Sequence, residues 1–110
     1  MTEVQVCSVH DVACGTVAGF TVDVAGQPVA VAIVRTADDR WYALEDRCSH
    51  GRVKLSCGEV EDGGVECSRH GSVFNVETGQ PLNPPASSPV PTYPVRVDDD
   101  RILVTFSSSS

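Results

Sequence analysis

Phe20-Thr21-Val22-Asp23-Val24-Ala25-Gly26-Gln27-Pro28-Val29-Ala30-Val31-Ala32-Ile33-Val34 is the stretch on which the fold class turns. β-Branched and aromatic side chains suit a pleated strand, and a Gly-bearing break between two such runs is a hairpin signal. The stretch therefore predicts Phe20 to Val24 pairing with Val29 to Val34 through a tight turn at Ala25-Gly26. Arg40 to Leu44 follows the Asp38-Asp39 turn as a further strand. Val60-Glu61 and Val65-Glu66 flank Asp62-Gly63-Gly64, and Tyr93 to Val97 and Ile102 to Phe106 flank Asp98-Asp99-Asp100. Both are hairpin signals of the same kind. Short strands at this spacing predict an all-β fold, a small sandwich or barrel.

One helical turn is predicted, with Ser8 as cap over Val9-His10-Asp11-Val12-Ala13 and Gly15 as its stop. Leu82 to Pro91 is dense in proline, whose missing N–H groups keep it out of a central ladder and make it a rigid surface connector. Ser107 to Ser110 reads as a disordered tail, which leaves residues 1–106 as the domain.

A chain of 110 residues fits one domain with one core. Its net charge of −7 argues against a nucleic-acid backbone as partner and for a positively charged protein surface. The longest apolar run, Val29 to Val34, is far short of the roughly 20 residues that a membrane-spanning helix needs, so no membrane partner is expected. Met1-Thr2-Glu3-Val4 has neither a basic n-region nor an apolar h-region, which predicts a cytoplasmic protein. Five cysteines is an odd number, and cytosolic thiols are normally kept reduced, so metal ligation is the sharper question.

Cys48-Ser49-His50 and Cys67-Ser68-Arg69-His70 answer it. Each pairs one thiol with one imidazole, and each is followed by a glycine, Gly51 or Gly71. Trp41-Tyr42-Ala43-Leu44 leads into the first and the Gly63-Gly64 hairpin into the second, so both loops can converge at one tip. Two Cys and two His are also zinc ligands, but zinc fingers pair C-x₂₋₄-C with H-x₃₋₅-H, a spacing this chain lacks. Cys7 reads as a buried, inert strand thiol and Cys57 as a solvent-shielded loop residue. His10 reads as a surface residue, and Trp41 as core packing beneath the first loop. Glu61, Asp62 and Asp98 to Asp100 read as solvated turns.

These loops resemble those of the Rieske ferredoxins. The likeness extends to Trp41-Tyr42-Ala43-Leu44-Glu45-Asp46, to Leu55-Ser56 with Gly58, to Val73-Phe74 with Thr78-Gly79, to the proline-rich connector and to Tyr93-Pro94-Val95, roughly residues 3 to 106. It implies a Rieske-type sandwich or barrel with a cluster-binding subdomain of two loops. It implies one 2Fe-2S cluster per chain, with Cys48 and Cys67 on one iron and His50 and His70 on the other. Ser68 stands where the family usually has proline. Val53 and Arg69 stand where high-potential relatives carry a bridged cysteine pair, so the resemblance is to the bridge-free ferredoxins of ring-hydroxylating dioxygenases. These carry single electrons from a flavin-containing ferredoxin reductase to a terminal oxygenase, and bind no organic substrate of their own. A mononuclear iron site needs two histidines and a carboxylate; once the cluster has its pair only His10 remains, so the chain is not the oxygenase itself. The alternative is a cluster-bearing accessory protein, in iron–sulfur assembly or as a nitrite reductase small subunit.

Overall fold

In the computed structural model, residues 2–47, 54–61, 63–66, 73–82 and 89–106 are described. They form ten strands in three antiparallel sheets. β1 (Thr2–Ser8), β10 (Arg101–Phe106) and β9 (Val95–Asp98) make one sheet in that order. β2 (Thr16–Val24), β3 (Gln27–Arg35), β4 (Trp41–Glu45) and β8 (Thr92–Tyr93) make the second, and β5 (Glu59–Glu61), β6 (Gly64–Glu66) and β7 (Val73–Asn75) the third.

The β2–β3 hairpin is longer than its sequence signal, pairing Thr16 with Arg35 through to Val24 with Gln27. Ala25 and Gly26 have φ of 53° and 84°. Positive φ at both loop positions matches the right-handed twist of the flanking strands, the reason such turns close hairpins.

β3 explains the layering. Successive strand residues face opposite sides, and Val31, Ala32, Ile33 and Val34 are all fully buried. Val31 and Ile33, with Ala43 of β4, pack against Cys7, Val12, Ile102, Val104 and Phe106 on the first sheet's side. Ala32 and Val34, with Leu44, pack against Leu55, Val65, Phe74, Val76 and Val90 on the third sheet's side. The second sheet is thus covered on both faces, and the expected single core is two apolar layers sharing one sheet.

Two expected elements change shape. The turn after Ser8 is a 3₁₀ turn over Val9–Asp11 rather than a helix to Ala13. Ser8 Oγ accepts from the His10 N–H and Asp11 Oδ2 accepts from the Ser8 N–H, so the cap itself is as the sequence predicts. Val12 then becomes extended because its side chain is drawn into the first layer. The strand expected over Tyr93 to Val97 breaks at Pro94, which has no N–H to give. Tyr93 pairs with Ala43 in the second sheet, whereas Val95 pairs with Val104 in the first. Asp99 and Asp100 form the turn between β9 and β10, with Asp98 taken into β9 opposite Arg101, and Val60-Glu61 pairs with Gly64-Val65 as the second hairpin signal predicts. Of the Leu82–Pro91 connector, 83–88 lie outside the described residues, as do 107–110; its far end is fixed by the Glu45 N–H donating to Pro91 O at 2.9 Å.

Candidate metal centre

Cys48, His50, Cys67 and His70, with Ser72, Val53, Arg69 and Asp62, lie outside the described residues. What surrounds the two loops is described. In the third sheet Glu66 pairs with Val73, so residues 67–72 close one paired end of β6 and β7. Glu59 pairs with the other side of Glu66, and only Gly58 separates Glu59 from the 3₁₀ turn Leu55–Cys57 that follows residues 48–53. The exit of the first loop thus abuts the entrance of the second.

This abutment is tight. A side chain at Gly58 would run into the backbone carbonyl of Glu66, so only glycine lets the two segments lie together there. Beneath them, fully buried Leu55, Val65 and Phe74 anchor the loop-bearing segments to the second sheet. Gly79, at φ +77°, brings the chain after β7 beside Val90.

The neck of the first loop is closed by polar contacts. Asp46 is only 4% exposed, and its Oδ1 accepts from the Ser56 N–H at 2.8 Å while Oδ2 accepts from the Ser56 hydroxyl at 2.7 Å. The Asp46 N–H donates to Ala30 O at 3.0 Å, fixing the neck to β3. Sequence reasoning assigned this pair no role, although a carboxylate just before the loop and a serine just after it were visible signals. Gly19 of β2 lies against both, and an isolated strand glycine was the available sign of a close approach.

The remaining sequence candidates scatter. Cys7 is buried, and its thiol is pushed up to about 11 by desolvation and then by the Asp11 charge. Cys57 is exposed, not shielded as expected, because Leu55 takes the core position and Ser56 the carboxylate in that short turn. Trp41 is half-buried at the start of β4, opposite Arg35, whose guanidinium lies 4.9 Å from the ring centroid. It sits at the strand end away from the first loop, not beneath it. His10 is a surface residue 3.6 Å from the Asp100 carboxylate. A groove of about 580 Å³, lined by Thr36, Asp38, Arg40, Tyr42 and Glu77, opens at the end opposite the loops.

Among the described residues, no three His, Cys, Asp or Glu side chains are grouped to hold a metal ion. Two thiols and two imidazoles on adjoining loops form a donor set that fits a two-iron cluster. No helix among the described residues is long and apolar enough to cross a membrane.

Comparison with known proteins agrees with this chemistry. The family model described as the Rieske [2Fe-2S] domain matches residues 2–94. The anthranilate 1,2-dioxygenase ferredoxin subunit of Burkholderia cepacia is 39% identical, over 94% of this chain and 97% of its own. The biphenyl dioxygenase ferredoxin subunit of Pseudomonas sp. strain KKS102 is 38% identical, over 100% and 97%. A solved complex of reduced oxygenase and oxidized ferredoxin in carbazole 1,9a-dioxygenase contains a chain that is 34% identical with a TM-score of 0.80, covering 93% of this chain and 100% of that one. The chain belongs to the Rieske [2Fe-2S] family, and its cofactor is a 2Fe-2S cluster that suits it to carrying electrons.

Proposed function

We propose that this chain accepts single electrons from a flavin-containing reductase and delivers them to a terminal Rieske non-haem iron oxygenase, in the cytoplasm and without turning over a substrate of its own. The observation that carries the reading is the meeting of the two loops' anchoring strands at the Glu59–Glu66–Val73 rim. Cys48 and Cys67 would hold one iron as thiolates, and His50 and His70 the other through ring nitrogens. When bound, the cluster supplies a one-electron couple lying somewhere between roughly −150 and +300 mV.

The two histidines are neutral donors in places where other ferredoxins have thiolates. They leave the centre less negative and so favour accepting an electron. Phe74 faces the apolar layer and has no hydroxyl to donate to a cluster sulfur. Val53 and Arg69 cannot form the bridge of high-potential relatives. A hydrogen bond to sulfur stabilises the reduced state, so missing donors put the midpoint near the lower end of the range, around −150 mV.

Full-length likeness to dioxygenase ferredoxin subunits supports an oxygenase as acceptor over the accessory alternatives. Stopped-flow mixing tests it. The reduced protein, mixed with the oxygenase component of an aromatic-ring dioxygenase, hands over one electron per chain far faster than it reoxidises in buffer. Reoxidation at the buffer rate, together with rapid turnover in a nitrite reductase, would overturn the oxygenase assignment.

A further inference from the structure

Asp46 presents an unusual combination. It is a buried carboxylate whose two oxygens both accept hydrogen bonds, the arrangement of an ionised group. No cation among the described residues lies within ion-pair distance of it. Buried charges without a counter-ion are costly unless fully hydrogen-bonded, and here one serine supplies both bonds. That serine and that aspartate bracket residues 48–53, so the contact joins the first loop's entrance to its exit. The geometry requires a third participant. A Cβ on Gly19 would stand 2.5 Å from Ser56 Oγ and 2.9 Å from Ser56 Cβ, and would also meet Asp46 Oδ2.

We infer that Asp46, Ser56 and Gly19 form a buried clasp that shuts the neck of the first cluster loop, with Asp46 as the positioning residue, and that the fixed negative charge of Asp46 holds down the cluster's affinity for an electron. This rests on the assignment of the cluster to the 48–53 and 67–72 loops. The two roles separate by chemistry. Asparagine has the shape of aspartate, can accept from the Ser56 N–H and can donate to the Ser56 hydroxyl, so the clasp survives without its charge. Alanine leaves the charge and loosens the clasp, at Ser56 by deleting the hydroxyl bond while the backbone N–H bond stays, and at Gly19 by filling the space.

Three variants of the cluster-loaded protein test this, each read by midpoint potential and by the rate of cluster loss to an iron chelator. Asp46→Asn keeps wild-type iron and sulfide and shifts the reduction equilibrium upward about tenfold, about 59 mV for one electron. Ser56→Ala loses its cluster about tenfold faster, as expected when a hydrogen bond to a charged group is removed. Gly19→Ala also loses it faster, although the same change at an unconstrained strand position stabilises by restricting the unfolded chain. An unchanged midpoint in loaded Asp46→Asn overturns the role of the charge, and wild-type cluster lifetimes in both Ser56→Ala and Gly19→Ala overturn the clasp. Wild-type protein that binds no iron overturns the functional reading itself, an outcome distinct from either.

Discussion

Cys7 and Cys57 carry the same thiol in opposite environments, and the contrast bears on the ligand set. Cys7 is held protonated by burial, while Cys14 and Cys57 are exposed. If Cys48 and Cys67 ligate iron, then at pH 8 an aromatic disulfide reagent titrates two thiols in the cluster-loaded protein, and all five after unfolding with a chelator. Four fast thiols in the loaded protein would contradict the assignment. The burial of Cys7 was legible from the preference of free cysteine for the interior; alternation alone would set it with exposed Glu3 and Gln5, and a bulge between Gln5 and Cys7 turns it inward. The exposure of Cys57 was not legible, since a three-residue turn has no period from which to read a face.

The third sheet is the element that carries the loops, and it is small enough for single residues to decide it. Gly58→Ala sets a methyl group against the Glu66 carbonyl and forces β5 and β6 apart. The expected result is a large loss of cluster content in the purified protein, measured as iron and sulfide per chain; wild-type content would show that the approach is not needed. Phe74→Ala empties a fully buried site and is expected to cost about 3–5 kcal/mol in denaturant unfolding. The hairpins at Ala25-Gly26, Asp62–Gly64 and Asp98–Asp100 were legible because turn chemistry is local. β7 was missed as a strand: Val73–Asn75 is too short to show alternation and exists through its pairing with β6. The crossover at Pro94 was hidden for a related reason. Proline marks a break, but only tertiary packing says that the two halves join different sheets.

The whole molecule is an acidic body, and acid also stands where the strands bearing the two loops meet. Glu59 and Glu66 stand directly opposite each other beside the loops, a like-charged cross-strand pair that costs stability, and the chain's net charge is −7. Association with a basic partner surface should therefore slow as salt rises and the Debye length falls from about 30 Å at 0.01 M to about 10 Å at 0.1 M. A transfer rate independent of ionic strength would count against electrostatic steering. Family membership was legible from four residues and their neighbours, because mixed thiol and imidazole donors at that spacing are rare; the two-layer core was not, because it depends on which sheet covers each face of β3. A potentiometric titration of the purified protein, followed by its visible absorption, tests whether the chain is a one-electron carrier. The expected result is a single one-electron wave per chain with a midpoint around −150 mV. A colourless chain holding one zinc and no sulfide, with no redox wave, would contradict it.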